Sequence, residues 1–129
     1  MILNYTQIDG LIQAIDSLKD EKMPFKVSLI LAKNSTLLKK EEEFFMEQEK
    51  NFAMKFLVYD EEKQEFVQSA PNMFMIKEGM QEECRKAREE LNNFTVDVEL
   101  RKIPVSAIEN MDFTPTQLSA LELILDEEE

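Results

Sequence analysis

The sequence predicts an α+β fold that is mostly α: a long antiparallel helical hairpin with a short N-terminal helix, a small sheet and a short C-terminal helix. Three observations predict it. After Pro24 the chain runs to Tyr59 without Gly or Pro, and apolar pairs recur every seven residues at Ile30/Leu31, Leu37/Leu38 and Phe44/Phe45, continuing through Phe52 and Phe56. That spacing lines one side of a long helix and leaves Lys39, Lys40, Glu41, Glu42 and Glu49 mostly on the other. A second seven-residue recurrence, Met73, Met80, Ala87 and Phe94, with Cys84 and Leu91 between, predicts a helix over 73–93 that packs back along the first. Finally, Thr95 to Leu100 alternates strictly, with Val96, Val98 and Leu100 on one face, which is a strand pattern.

Taken in order, the first helix is expected from about Thr6 to Met23, with Thr6 and Asp9 as a capping pair and Ile8, Leu11, Ile12, Ile15 and Leu18 as its stripe. Gly10 within it either weakens the helix or permits close packing. Pro24 suits the first turn of the long helix, where a missing N–H is harmless. Such a rod of helix would reach roughly 50 Å, so other elements must lie along it. Segments 56–59 and 65–68 flank the polar run 60–64 and read as a small hairpin, although no Asn-Gly or Asp-Gly marks the turn; continuation of the helix to Phe66 is the rival reading. Pro71 breaks whatever precedes it. The alternating strand needs a partner, for which the candidates are the 56–68 hairpin, residues 2–5 or a second copy. A single helical turn is expected over 106–110. Thr114 and Pro115 then cap a short helix that buries Leu118, Leu121, Leu125 and, on one reading, Ile124. The acidic tail 126–129 opposes the helix dipole and should fray.

The chain of 129 residues is read as one domain over 1–129: the hairpin over 24–93, strand plus last helix over 95–125, and the tail over 126–129. No apolar run has the length of a membrane span, no secretory leader is read at the start, and a lone Cys84 favours a reducing compartment. Net charge is −12, with nine acids against two bases over 97–129. Direct phosphate-backbone binding and adsorption to an anionic membrane are both disfavoured by that balance.

The sequence points away from an enzyme. It has no histidine, the commonest general base and metal ligand. Cys84 sits at an apolar position and reads as a buried small hydrophobe. The carboxylate runs lack the alternating ligands and glycine of a calcium loop, and no phosphate-binding, nucleophile-elbow or dinucleotide motif occurs. No cofactor or metal is expected.

Two features can carry binding. One is the wide apolar stripe Phe44, Phe45, Phe52 and Phe56, a protein-binding surface or dimer contact if it is not simply core. The other is the acidic C-terminal quarter, with Glu109, Asp112, Glu122, Asp126 and Glu127, which reads as a solvated surface or as an imitation of nucleic-acid phosphates that occupies a basic groove.

The entry into the long helix at Pro24, Val27-Ser28 and Ala32-Lys33-Asn34, the strand Val96–Leu100, and Thr114-Pro115 followed by Leu118 together resemble a family of small acidic proteins of unknown function encoded by tailed bacteriophages of Gram-positive hosts. The resemblance covers most of the chain and departs over 60–72, where a glycine-containing turn is expected. It implies a phage product working in the bacterial cytoplasm or ending up in the virion; the function expected for the chain is non-catalytic binding of a phage or host protein, or of itself. It brings no site residues with it.

Overall fold

The computed structural model describes residues 1–127. In order, the elements are β1 (Ile2–Asn4), α1 (Tyr5–Ser17), α2 (Phe25–Phe56), β2 (Tyr59–Asp60), β3 (Glu65–Phe66), β4 (Gln68–Ala70), β5 (Met73–Phe74), α3 (Gln81–Asn93), β6 (Thr95–Asp97), β7 (Ile103–Pro104), α4 (Pro115–Leu121) and β8 (Leu125–Asp126). The fold is α+β and mostly α, as the periodicities predict. The chain divides into two compact units: Met1–Glu43 with the described part of Thr95–Glu129, and Phe44–Phe94.

In the first unit the alternating strand, confined to Thr95–Asp97 of the expected Thr95–Leu100, finds its partner at the N-terminal segment. β1 pairs antiparallel with β6, Leu3 opposite Val96. The terminal ammonium lies 2.7 Å from Asp97 Oδ1, and it also donates to the Val98 carbonyl at 3.1 Å. The strand leads straight into α1, and this moves the helix start. Asn4 is the cap: its Oδ1 accepts from the Gln7 N–H at 2.9 Å, and its own N–H donates to Gln7 Oε1 at 3.0 Å. The Thr6–Asp9 pair is therefore not the capping box; an amide at the third position closes it better than a short carboxylate does. The helix also ends at Ser17 rather than Met23. Ile8, Leu11, Ile12 and Ile15 are buried as expected, and Leu18 with them.

Gly10 settles on the weakening side of its two readings, because a Cβ built there meets nothing within 4 Å. Gly10→Ala should therefore raise stability by about 0.5–1 kcal/mol. Thermal denaturation checks this, and a lowered midpoint would mean that the glycine has a role in the fold that its open surroundings do not reveal.

Val27, Ile30, Leu31, Asn34 and Leu38 form the buried side of the first part of α2. Asn34 is the buried polar side chain among the described residues, with no exposed surface at all. Its amide clamps the backbone on both sides of one residue before β7: Nδ2 donates to the Arg101 carbonyl and Oδ1 accepts from the Arg101 N–H, both at 2.9 Å. A side-chain amide thus replaces a neighbouring strand, which explains how the backbone after β6 leaves its ladder without burying unpaired groups.

β7 continues into a 3₁₀ turn at Val105–Ala107 and pairs parallel with β8, Ile103 opposite Leu125. α4 opens as expected, with Pro115 in its first turn and Thr114 Oγ1 accepting from the Gln117 N–H at 3.1 Å. Its buried face is shifted. Leu121 and Ile124 are buried, Ile124 on a 3₁₀ turn (Glu122–Ile124), whereas Leu118 is 42% exposed and Leu125 half-buried in β8. The 3₁₀ turn brings Ile124, three residues on, under Leu121, so Ile124 takes the buried place that α-helical spacing assigns to Leu125. Asp126, expected to begin a frayed tail, belongs to the β7–β8 ladder. Glu128 and Glu129 lie outside the described residues.

The second unit holds the rest of α2, strands β2 to β5 and α3. The hairpin reading over 56–68 holds: β2 pairs antiparallel with β3, Tyr59 opposite Phe66. Its turn dispenses with glycine by other means. Asp60 Oδ1 accepts from the Glu62 and Lys63 N–H groups at 3.0 and 3.3 Å, and Gln64 takes the left-handed conformation, φ 54°. Asn72 does the same between β4 and β5, φ 62°. Three segments then close a ring of backbone bonds. Val58 N–H donates to Met75 C=O, Met75 N–H to Val67 C=O, and Val67 N–H to Val58 C=O, at 2.8–2.9 Å.

This ring corrects the third helix. Met73 and Phe74 are strand, not helix, and α3 begins only at Gln81. Gly79 decides the boundary, since its φ of +80° cannot belong to a right-handed helix. From Cys84 onward the seven-residue reading holds, with Cys84 buried and Ala87 and Leu91 half-buried.

Candidate interaction surface

Four phenylalanines of α2 formed the expected binding stripe, and the structure divides them. Phe45 and Phe56 are 1% and 4% exposed, so both belong to the interior, with Phe56 at the floor of the groove described below. Phe44, 41% exposed, and Phe52, half-buried, remain at the surface. The reason is the position of α3. Phe94 lies against both Phe44 and Phe45, at 5.8 and 6.0 Å between ring centroids. Arg88 reaches Glu49 and Phe52, and Lys77 donates its backbone N–H to the Phe56 carbonyl. Residue numbers rise along α3 as they fall along α2, so the two helices run antiparallel, and α3 covers only one flank of the stripe.

The uncovered flank is a groove of about 300 Å³. Phe44, Phe52, Leu91 and Phe94 supply its apolar surface, with Lys55 and Glu90 among its polar lining. Sequence reasoning assigned Leu91 and Phe94 to the inter-helix contact and missed their second role as walls of this groove. The signal lay in Phe94 itself, an aromatic at the last turn of a short helix where one neighbour cannot enclose it.

A charged clamp stiffens the groove's side. Arg88 donates through Nη1 and Nη2 to the two carboxylate oxygens of Glu49, each at 2.8 Å, while its guanidinium sits 4.1 Å from the Phe52 ring centroid. The hydrogen bonds from Arg88 hold the Glu49 carboxyl below its ordinary value, against the opposing effect of burial. A carboxyl depressed in the folded state contributes stability above the ordinary carboxylate range, and that contribution disappears as pH falls through the lowered value. Both groups are more than one-third exposed, so the pair is worth about 0.5–1 kcal/mol at neutral pH. Stability measured against pH for wild type and Glu49→Gln should show the two curves converging in acid; parallel curves would mean that the clamp contributes nothing.

A second apolar hollow, about 450 Å³, lies beside the strands, lined by Met54, Leu57, Tyr59 and Phe66 with Lys50 and Lys77 at its edge. Tyr59 and Phe66 stack edge-on at 5.0 Å. Exposed Met73, Phe74 and Met75 extend the apolar character of these strands.

The acidic residues are placed differently. Glu109, Asp112, Glu122 and Glu127 are exposed, and Asp126 is half-buried within its ladder. Among the described residues no group of three or more His, Cys, Asp or Glu is disposed to hold a metal ion, and no helix is long and apolar enough to cross a membrane. No family model matches the chain, and no curated protein or solved structure matches it.

Proposed function

We propose that this is a non-catalytic phage protein that acts by binding another protein, in virion assembly or in takeover of the host, and that its contact surface is the groove between α2 and α3. The observation that carries this reading is the pair Phe44 and Phe94, two aromatic rings in tilted contact, 5.8 Å between centroids, and each more than 40% exposed at the mouth of an apolar groove. Water at such a surface is released on docking, which is the main source of association free energy. The host bacterial cytoplasm or the virion as its location, and the phage origin, rest on the resemblance described above.

The test is capture by a tagged chain from infected and uninfected cells, comparing wild type with the Phe44→Glu/Phe52→Glu variant. Both positions are accessible, so the variant should keep its circular dichroism spectrum and lose the proteins recovered with wild type. Equal recovery by both would remove the groove from the mechanism. Ionic strength separates this reading from an acidic mimic of nucleic acid acting on a host nuclease or defence protein. An apolar contact should respond little to salt, whereas a complex made through Glu109, Asp112, Glu122 and Glu127 should weaken steeply between low and moderate salt.

A further inference from the structure

Resting on the groove reading above, we infer that the occupant of the groove is a second copy of this chain, packed so that α2 lies antiparallel against α2 of its neighbour about a two-fold axis at Gln48. The outward stripe of α2, exposed at Phe44 and Lys55 and half-buried at Glu41, Gln48 and Phe52, is symmetric in kind about that residue. Glu41, Phe44, Gln48, Phe52 and Lys55 follow one another at intervals of three, four, four and three, so all five lie on one side of the helix. Reversal of the helix lays Phe44 over Phe52, returns Gln48 to itself, and sets Glu41 opposite Lys55. The apolar positions match in size, and the outer positions match in opposite charge.

Each half of that charge match is open. Neither Glu41 nor Lys55 forms an ion pair among the described residues; Lys55 only overlies the Phe56 ring, 5.1 Å from its centroid. A two-fold contact uses each pair twice, Glu41 to Lys55 of the second copy and Lys55 to its Glu41. The groove also suits a copy in an otherwise acidic chain. With net charge −12, most surfaces repel themselves, whereas this lining carries one lysine and one glutamate.

The second helix obeys the same axis. Phe94 contacts Phe44 and Phe45 while Arg88 clamps Glu49, so Leu91, midway between them, sits level with Gln48. The axis through Gln48 therefore also brings Leu91 close to Leu91 of the second copy near the centre. Two antiparallel helix pairs stacked in this way make a four-helix bundle, the usual means by which a helical hairpin covers its open face.

The charge match gives a test that leaves the apolar surface untouched. Sedimentation equilibrium over a concentration series should show a wild-type dimer. Glu41→Lys faces lysine with lysine, and Lys55→Glu faces glutamate with glutamate, so each variant alone should dimerise about tenfold more weakly or worse. Mixed together, the two variants restore both opposite pairings, and the heterodimer should regain wild-type affinity. Lys55 is exposed and Glu41 half-buried, and an unchanged circular dichroism spectrum accompanies the expected result. A wild-type chain that stays monomeric throughout overturns the inference, as does a dimer that neither substitution weakens or a mixture that does not recover. These outcomes are separate from failure of the groove itself. A monomer whose capture of a different protein is lost in Phe44→Glu/Phe52→Glu keeps the groove and replaces its occupant, whereas a monomer whose captures ignore that variant removes both.

Discussion

Replacing Asn34 with aspartate should destabilise the first unit by about 3–5 kcal/mol, although the two side chains have nearly the same shape. In the native chain the Asn34 amide is an acceptor at one atom and a donor at the other, and the Arg101 backbone N–H and C=O present the complementary donor and acceptor, each at 2.9 Å. Aspartate keeps the acceptor toward the Arg101 N–H. It turns a second negative oxygen toward the Arg101 carbonyl, with no exposed surface through which water could screen it. Lowering the pH protonates the new carboxyl and restores a donor, so part of the loss should return in acid relative to wild type. Asn34→Leu provides the comparison: both Arg101 groups lose their partner, at a cost of about 2–4 kcal/mol, with no recovery in acid. Urea denaturation followed by circular dichroism at neutral and acid pH measures all three. An Asn34→Asp variant as stable as wild type would show that water reaches this backbone.

Phe45→Ala should cost about 3–5 kcal/mol, while Phe44→Ala, one position earlier on the same helix, should cost about 1 kcal/mol or less. The contrast follows from burial alone. Phe45 is 1% exposed and meets Phe44 edge-on at 5.6 Å and Phe94 at 6.0 Å, so truncation leaves a cavity with rings on its walls. Phe44 is 41% exposed, and water fills whatever space its truncation leaves. Chemical denaturation of the two single variants decides between them. Similar losses would place Phe44 in the interior and remove the rim from which the interaction surface is built. The same contrast makes Phe44, rather than Phe45, the correct position for tests of binding.

How much of this surface was legible in the sequence is clear from those two residues. The seven-residue recurrence placed Phe44 and Phe45 together on one side of α2, and that is where they are. Periodicity assigns a side of a helix, however, and adjacent residues differ by about 100° around it. Whether a residue is interior or rim depends on the line along which the next helix lies, and that line is drawn by contacts between residues some forty positions apart, such as Arg88 with Glu49. The start of α3 carried the same ambiguity. Met73 and Met80 fit a helical stripe, but Met75 is held in a ring of backbone bonds with Val58 and Val67, and no local spacing announces that ring. Gly79 was the available signal; its positive φ marks the turn out of the strands.

The sequence by itself determined the elements whose causes are local. The glycine-free run after Pro24 and its apolar period make α2; Thr114, Pro115 and Gln117 start α4; the alternation after Phe94 makes β6. In each, the deciding interactions span a turn or two of chain. Tertiary structure alone decided the pairing of β6 with β1, the clamp of Asn34 on Arg101, the start of α3 and the division of the phenylalanines between core and groove. Those outcomes depend on which distant backbone or side chain arrives to satisfy a polar group or cover an apolar one. The sequence states what each residue needs, and only the folded chain states which neighbour meets that need.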